Sequence, residues 1–182
     1  MTAHFIPALR PSIAIAFLAL FLLSGCPLVS EHPLSDPQAA RIDEALVGSW
    51  RTLALDEGEW KRLAFLPFDE RELVAFAPGD EADSIDALRA FTTEIEGTRF
   101  LNVRELGTGR SPSGWYILRY AIDGDRLVMT IVDDALFEGK TFAGSADLGE
   151  FVRRNLSNPL LFSSNPGEKS QDTTLYRVKD EK

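Results

Sequence analysis

The sequence has few of the residues on which nucleophilic and metal-dependent enzymes rely. It contains one cysteine, Cys26, and two histidines, His4 and His32, among 182 residues. A chain with one cysteine forms no internal disulfide. The chain after residue 32 therefore lacks Ser-His-Asp and Cys-His systems and zinc sites built from His and Cys. These absences predict a protein without catalytic activity, cofactor or metal; a hydrolase using only carboxylates, lysine or tyrosine is a remote alternative.

Long hydrophobic runs are also scarce. The clearest apolar segment, residues 11–23, is shorter than the ~20 residues of a transmembrane helix and ends in Leu23-Ser24-Gly25-Cys26. This tetrapeptide resembles the lipobox of bacterial lipoproteins. The resemblance implies cleavage between Gly25 and Cys26, acylation of Cys26 with chains such as palmitate, and attachment to a membrane through that lipid. Pro27 stands where inner-membrane lipoproteins typically have aspartate, which implies the periplasmic face of the outer membrane, with the inner membrane as the alternative.

Positive charge is in the minority. The chain has 19 basic and 28 acidic residues and a formal net charge of −9, which disfavours nucleic acid as a partner. Residues 1–25 are predicted to be the signal peptide and residues 36–182 a single domain. Between them, residues 26–35 contain Pro27 and Pro33 and are predicted to form an extended lipidated tether, which would hold the domain roughly 25–30 Å from the membrane.

Short runs of aromatic and β-branched residues, separated by turn signals, fill most of the chain after residue 46. They predict strands at 47–55, 60–66, 72–77, 91–95, 98–106, 115–122, 126–132 and 173–179, and a weaker one at 137–142. Turns or loops are predicted at 57–59, 96–97, 107–114 and 123–124, and a short acidic helix or loop at 81–90. A short helix is predicted after Asp36 and another at 145–157. The series predicts a mainly β fold, either an up-and-down antiparallel barrel or a strongly curved sheet.

Gly48-Ser49-Trp50, on the first predicted strand after a short helix, resembles the G-x-W element of the lipocalin (calycin) superfamily. The later helix and last strand fall where that superfamily has a helix packed on its barrel and a ninth strand. The overall layout also resembles small uncharacterised bacterial lipoproteins. The resemblance implies that Trp50 plugs the closed end of a barrel and that an arginine lies across it. Arg119 and Arg177 are both candidates for this arginine.

Strand alternation predicts which side chains face the barrel interior. On the strand at 115–122, the more uniformly apolar set contains Tyr116, Leu118 and Tyr120. The neighbouring strands would add Leu101, Val103, Leu127, Met129 and Ile131. If the interior is open, Tyr116, Leu118, Tyr120, Leu101, Val103 and Met129 would contact a ligand, with the tyrosine hydroxyls orienting its head group.

The remaining chemistry-bearing residues are few. Asp69-Glu70 and Asp133-Asp134 are adjacent carboxylates, which point to opposite faces on a strand and are therefore predicted to be solvated loop charges. Two functions without catalysis remain. The first is an interaction or assembly module in the cell envelope, bound to an envelope protein through an apolar patch such as residues 160–162. The alternative is a carrier or sensor of a small apolar ligand, such as a fatty acid or lipid.

Overall fold

The computed structural model describes residues 27–53, 60–78, 85–106, 114–165, 167, 170 and 172–179. The predicted signal peptide, Gly25, Cys26, the turn at 57–59 and most of the loop at 107–114 lie outside these residues. Within the described residues the chain forms nine strands: β1 Val29–Ser30, β2 Gly48–Leu53, β3 Trp60–Pro67, β4 Leu73–Pro78, β5 Ile85–Ile95, β6 Thr98–Glu105, β7 Trp115–Asp123, β8 Arg126–Ile131 and β9 Asp172–Arg177.

Strands β2 to β9 form a closed antiparallel barrel. Each pairs with its neighbour in sequence, and β9 also pairs with β2, which closes the sheet. The turn between β5 and β6 places Glu96 and Gly97 at φ 50° and 78°, as a two-residue type I′ hairpin requires. In the turn between β7 and β8, Gly124 alone has a positive φ. The predicted mainly β, lipocalin-like barrel is confirmed.

The helical segments are shorter than the sequence predicts. Helix α1 spans Ser145–Arg154, and three 3-10 turns lie at Pro37–Ala39, Asp134–Leu136 and Pro159–Leu161. The predicted helix after Asp36 is thus a single turn. The Asp36 side chain accepts a hydrogen bond from the Gln38 backbone N–H, but Ala40 is already extended (ψ 158°). One turn fixes several dihedral angles for few hydrogen bonds, so it does not propagate without packing support.

Two other segments differ from their predicted structure. Residues 85–90, predicted as part of an acidic helix or loop, are the first half of β5, because Leu88 and Ala90 are buried in the barrel core. Residues 137–142, predicted as a weak strand, form a turn at 137–139 and irregular chain after it. Phe137 and Phe142 instead pack against each other and against Phe151 of α1, with ring centroids 5.1–6.0 Å apart.

Residues 27–35, predicted to be an extended tether, lie on the outside of the barrel and are called the leader from here on. Val29 and Ser30 pair with β7, while Leu28 and Leu34 are buried. The Leu34 backbone N–H donates to Asn102 Oδ1 at 2.7 Å, and Asn102 is itself buried on β6. The tether prediction is wrong for these residues, because their apolar side chains cover an apolar strip of the barrel wall.

The described residues form two large hydrophobic cores and a small cluster of Ala40, Phe91 and Trp115. The first fills the barrel around Trp50, Phe65, Leu118, Leu127 and Met129. The second lies outside the barrel, between the wall of β6–β8 and a cover formed by the leader, α1 and the last 3-10 turn; its members include Leu28, Leu34, Phe100, Ile117, Val132, Leu148, Val152, Leu161 and Phe162. Residues 160–162 were predicted to be an exposed apolar patch. That prediction is wrong, since Leu161 and Phe162 are buried in this second core. Among the described helices, none has the length and apolar character needed to cross a bilayer.

Candidate functional site

The closed end of the barrel is built around Trp50 and Arg177. The Arg177 guanidinium carbon lies 4.2 Å from the Trp50 ring centroid. The same guanidinium donates to Val47 O at 2.9 Å and to Ala45 O at 2.6 Å, while Trp50 Nε1 donates to Leu46 O at 2.8 Å. Arg177 thus joins the last strand to the segment that enters the first barrel strand.

Arg119, the other candidate for this arginine, is on the outside of the barrel. Its guanidinium carbon lies 4.0 Å from the Phe162 ring centroid, and its Nη2 donates to Thr130 Oγ1 at 3.1 Å. Arg119 alternates with the inward-facing Leu118 and Tyr120, so alternation along β7 already favours Arg177 for the closed end.

The side chains predicted to face the interior come together there. Tyr116, Leu118, Tyr120, Leu101, Val103, Leu127 and Met129 are all buried in the barrel core, and Ile131 packs against it. Tyr120 lies near the closed end, where its hydroxyl donates to Asp43 Oδ2 at 2.8 Å. Arg99 Nη1 holds the same carboxylate at 2.9 Å. Burial, followed by the hydrogen bond to Asp43, raises the pKa of Tyr120 far above its ordinary value. Its hydroxyl therefore already has a partner and does not need a ligand.

Tyr116 lies near the opposite end of the interior, beside two carboxylates that the sequence interpretation missed. Glu105 follows Val103 by two residues on β6, and Asp86 precedes Leu88 by two on β5, so both face inward. Glu105 Oε1 is buried and has no hydrogen-bond partner among the described residues. Burial and the charge of Asp86 raise the pKa of Glu105, and burial and Glu105 raise that of Tyr116. Alternation along β6 could have identified Glu105 as an inward residue.

Among the described residues, the outside of the barrel is covered unevenly. The leader and α1 cover the wall of β6–β8, whereas the wall of β3 and β4 carries apolar side chains that reach solvent. Cross-strand pairs bring Ala64 next to Phe76 and Leu66 next to Val74 on this face. Leu66 is 49% exposed, and Phe68, just after β3, is 65% exposed. We call these five residues, Ala64, Leu66, Phe68, Val74 and Phe76, the apolar wall.

The adjacent carboxylates shape turns. Asp133 accepts the Ala135 backbone N–H at 2.9 Å and the Ser164 hydroxyl at 2.8 Å. Asp69 accepts the backbone N–H groups of Arg71 and Glu72, which lowers its pKa. In the described part of the chain, no three His, Cys, Asp or Glu residues are grouped so that they could hold a metal ion.

Comparison with known proteins adds no relative: no family model, curated protein or solved structure matches this chain.

Proposed function

We propose that the protein is a lipid-anchored envelope protein without catalytic activity that binds another envelope protein through its apolar wall. The observation that carries the proposal is the exposure of Leu66, which pairs with Val74 of β4, and of Phe68, which follows the same strand. The lipobox supports the anchor, by acylation of Cys26, and a position on the periplasmic face of the outer membrane.

The energetics favour a partner on this wall. Burying a Leu or Phe side chain that is otherwise exposed contributes about 1.5–3 kcal/mol, and Leu66 and Phe68 are each about half exposed or more. A contiguous apolar patch rimmed by polar residues is typical of protein interaction sites. Phe68 follows β3 on a tight connection in which its N–H and that of Asp69 donate to Glu72 O, so the side chain is presented on a fixed backbone.

Protection of an introduced thiol tests the proposal. Acylation of Cys26 would leave the mature chain without a free thiol, so Leu66→Cys or Phe68→Cys introduces a unique one. We expect N-ethylmaleimide to modify either cysteine several-fold more slowly in intact envelopes than in the detergent-purified protein. Ala146→Cys, an exposed position on α1, is the matched control and should react equally fast in both. Equal reactivity of all three variants in envelopes and in detergent would contradict the proposal.

A ligand carrier is a second candidate function, supported by the buried Glu105 oxygen. An N–H or O–H donor on a ligand would form a hydrogen bond with Glu105 Oε1. A buried acceptor without a partner raises the free energy of the folded protein, so this hydrogen bond would favour binding. A fatty acid fits this end of the interior less well than an amine, since its carboxylate would meet Glu105 and Asp86.

Native mass spectrometry of the gently extracted mature protein tests the carrier. The carrier predicts an added mass that is lost on denaturation, is restored by phosphatidylethanolamine rather than palmitate, and is weakened by Glu105→Gln but not by Glu70→Gln. An unchanged apo mass with both lipids would contradict it.

A further inference from the structure

A row of directly paired residues leads from the apolar wall to two arginines on the outer face of the barrel. Leu66 of β3 pairs with Val74 of β4, which pairs with Arg89 of β5. Arg89 in turn pairs with Arg104 of β6. Directly paired residues point to the same face of a sheet, so all four side chains lie on the outer face. The backbone of Arg104 lies roughly 10 Å from that of Val74, two strands away.

The Arg104 side chain is held on a buried tryptophan. Its guanidinium carbon lies 4.5 Å from the ring centroid of Trp115, which is only 6% exposed. Trp115 packs edge-on against Phe91, with ring centroids 5.3 Å apart, in the small cluster that also contains Ala40. This packing fixes the ring, so the guanidinium of Arg104 is already positioned at the surface of the free protein.

Within the described part of the chain, the guanidinium of Arg104 has no hydrogen-bond acceptor. Arg89 binds the buried carboxylate of Glu72 through two of its nitrogens, Nε and Nη2. Arg104, by contrast, makes neither a side-chain hydrogen bond nor an ion pair there, although a guanidinium carries five N–H donors. The Trp115 ring attracts the cation but does not accept these donors as a carboxylate does. Glu72, Arg89 and Arg104 together carry one net positive charge.

The opposition of the two arginines is unfavourable in the free protein. Like charges directly opposite each other on neighbouring strands are destabilising. Burial, followed by the charge of Arg89, lowers the pKa of Arg104, and the charge of Glu72 opposes this shift without cancelling it. An anion bound to Arg104 would supply the missing counter-charge and offset the repulsion.

We infer that Arg104 binds a carboxylate of the partner protein that covers the apolar wall. The inference rests on the proposed function and adds the chemistry of the partner: an acidic side chain next to apolar ones. Guanidinium groups form paired hydrogen bonds with carboxylates. Arginine and tryptophan are also enriched among the residues that contribute most to binding in protein interfaces.

The charge of the whole molecule favours a protein carboxylate over an anionic membrane. Electrostatic interactions are screened beyond about 8–10 Å at physiological ionic strength, so a single carboxylate at Arg104 experiences mainly the nearby guanidinium groups. An anionic bilayer extends along the entire protein and also faces the excess of acidic residues in a chain of net charge −9.

Protection of the Leu66→Cys thiol from N-ethylmaleimide in intact envelopes tests the inference. Arg104→Glu reverses the charge at the proposed contact, and Arg126→Glu makes the same change in net charge at an exposed position of β8. We expect Arg104→Glu to raise the reaction rate in envelopes several-fold, to nearly the rate in detergent, because it repels the carboxylate of the partner. Arg126→Glu should leave the rate unchanged. Thermal unfolding of both purified variants checks that they fold.

A zero-length cross-link tests for the carboxylate directly. Arg104→Lys keeps the positive charge and introduces a primary amine, which a water-soluble carbodiimide joins to a neighbouring carboxylate as an amide. In intact envelopes we expect an adduct that is larger than the monomer, distinct from twice its mass, and absent from the unmodified protein. Arg126→Lys is the matched control and should give no such adduct.

Several results would overturn the inference. Protection of Leu66→Cys that survives Arg104→Glu would overturn it while leaving the proposed function intact. Equal loss of protection with Arg126→Glu would mean that net charge, rather than Arg104, determines binding. A cross-linked adduct of twice the monomer mass would identify a second copy of this chain as the occupant. Protection of the purified protein by phosphatidylglycerol vesicles alone would identify a lipid surface, and a Leu66→Cys thiol unprotected in every background would contradict the proposed function as well.

Discussion

Arg177 joins segments that are far apart in the sequence but adjacent at the closed end of the barrel. One side chain covers the Trp50 ring and donates to two backbone carbonyls of the segment before β2. A cation over an aromatic ring contributes about 0.5–2 kcal/mol, and a hydrogen bond from a charged donor about 1.5–3 kcal/mol. These contacts close the barrel at the point where β2 and β9 pair.

Arg177→Ala is therefore expected to lower the free energy of unfolding by about 2–4 kcal/mol, measured by urea denaturation. Arg126→Ala is the control, because Arg126 is exposed and should change stability by no more than about 0.5 kcal/mol. Equal effects of the two substitutions would mean that the closed end does not depend on Arg177.

Glu105 provides a pH-dependent prediction. Its pKa is raised, so the folded protein holds the proton more tightly than the unfolded chain. That stabilisation is present below the unfolded pKa of Glu105 and is lost as the pH rises through the folded pKa. We expect Glu105→Gln to raise the urea midpoint at pH 7 and to have little effect near pH 4. Glu70→Gln, at an exposed position, is the control; the same shift at both pH values would contradict the prediction.

Alternation along single strands predicted the inward residues correctly, because a period of two needs no long-range information. Alternation also places Arg119 on the outer face of β7, but Arg119 and Arg177 remained equal candidates in the sequence because the arginine followed from the resemblance alone. The contact itself joins β9 to β2 and depends on long-range pairing. Glu105 and Asp86 were missed for a different reason. Charged residues near strand ends resemble loop residues in sequence, and only pairing with Leu88 and Ala77 reveals that they face inward.

Helix α1 and the leader stabilise one another as elements. The Leu34 carbonyl lies so close to Gly149 that a Cβ at this position would be 2.8 Å from its oxygen. Glycine is normally unfavourable in a helix by about 1 kcal/mol relative to alanine. Here it allows the leader to pass directly over the helix backbone.

Gly149→Ala should consequently destabilise the protein despite its better helix propensity, as measured by thermal unfolding. Ala146→Gly, also in α1, should destabilise by no more than about 1 kcal/mol through propensity alone. A higher melting temperature for Gly149→Ala would show that the leader does not contact the helix in solution.

The sequence predicted the barrel strands better than the leader for a physical reason. Hairpins with short turns are local, and their residues determine both turn and pairing. The leader docks because the wall of β6 and β7 offers it Asn102 and an apolar strip, and these residues are some 70 positions away in sequence. The prolines of the leader therefore predicted an extended tether, whereas in the folded protein the leader packs on the barrel wall.

At the scale of the whole molecule, the docked leader begins at one end of the barrel. Pro27 pairs with Asp133, just after β8, and β8 runs in the same direction as β6, which ends at Glu105. The described chain therefore begins, at Pro27, at the Glu105 end of the barrel.

Cys26→Ala should move the protein from the membrane fraction to the soluble fraction. Immunoblotting of the two fractions measures this shift. Its folded domain should remain as stable as before, because the leader docks through residues 27–35. Ser24→Ala, a small residue for a small residue in the lipobox, is the control that should stay in the membrane fraction. Retention of the Cys26→Ala protein in membranes would contradict the anchor.

The class of fold followed from the sequence, but the position of the apolar wall did not. Exposure of Leu66 and Phe68 depends on which side of the barrel the leader and α1 cover, and that choice is made by tertiary packing. The segment at 160–162 was predicted to be a surface patch because it is apolar and follows a helix. Leu161 and Phe162 are instead buried in the second core.

Photo-cross-linking in intact envelopes tests the central claim, that the apolar wall is occupied by a partner protein. A benzophenone amino acid replaces Phe68, and in the control it replaces Ala146. The account predicts one discrete adduct from position 68, larger than the monomer and distinct from twice its mass, and none from position 146. No adduct from position 68, or the same adducts from both positions, would contradict it.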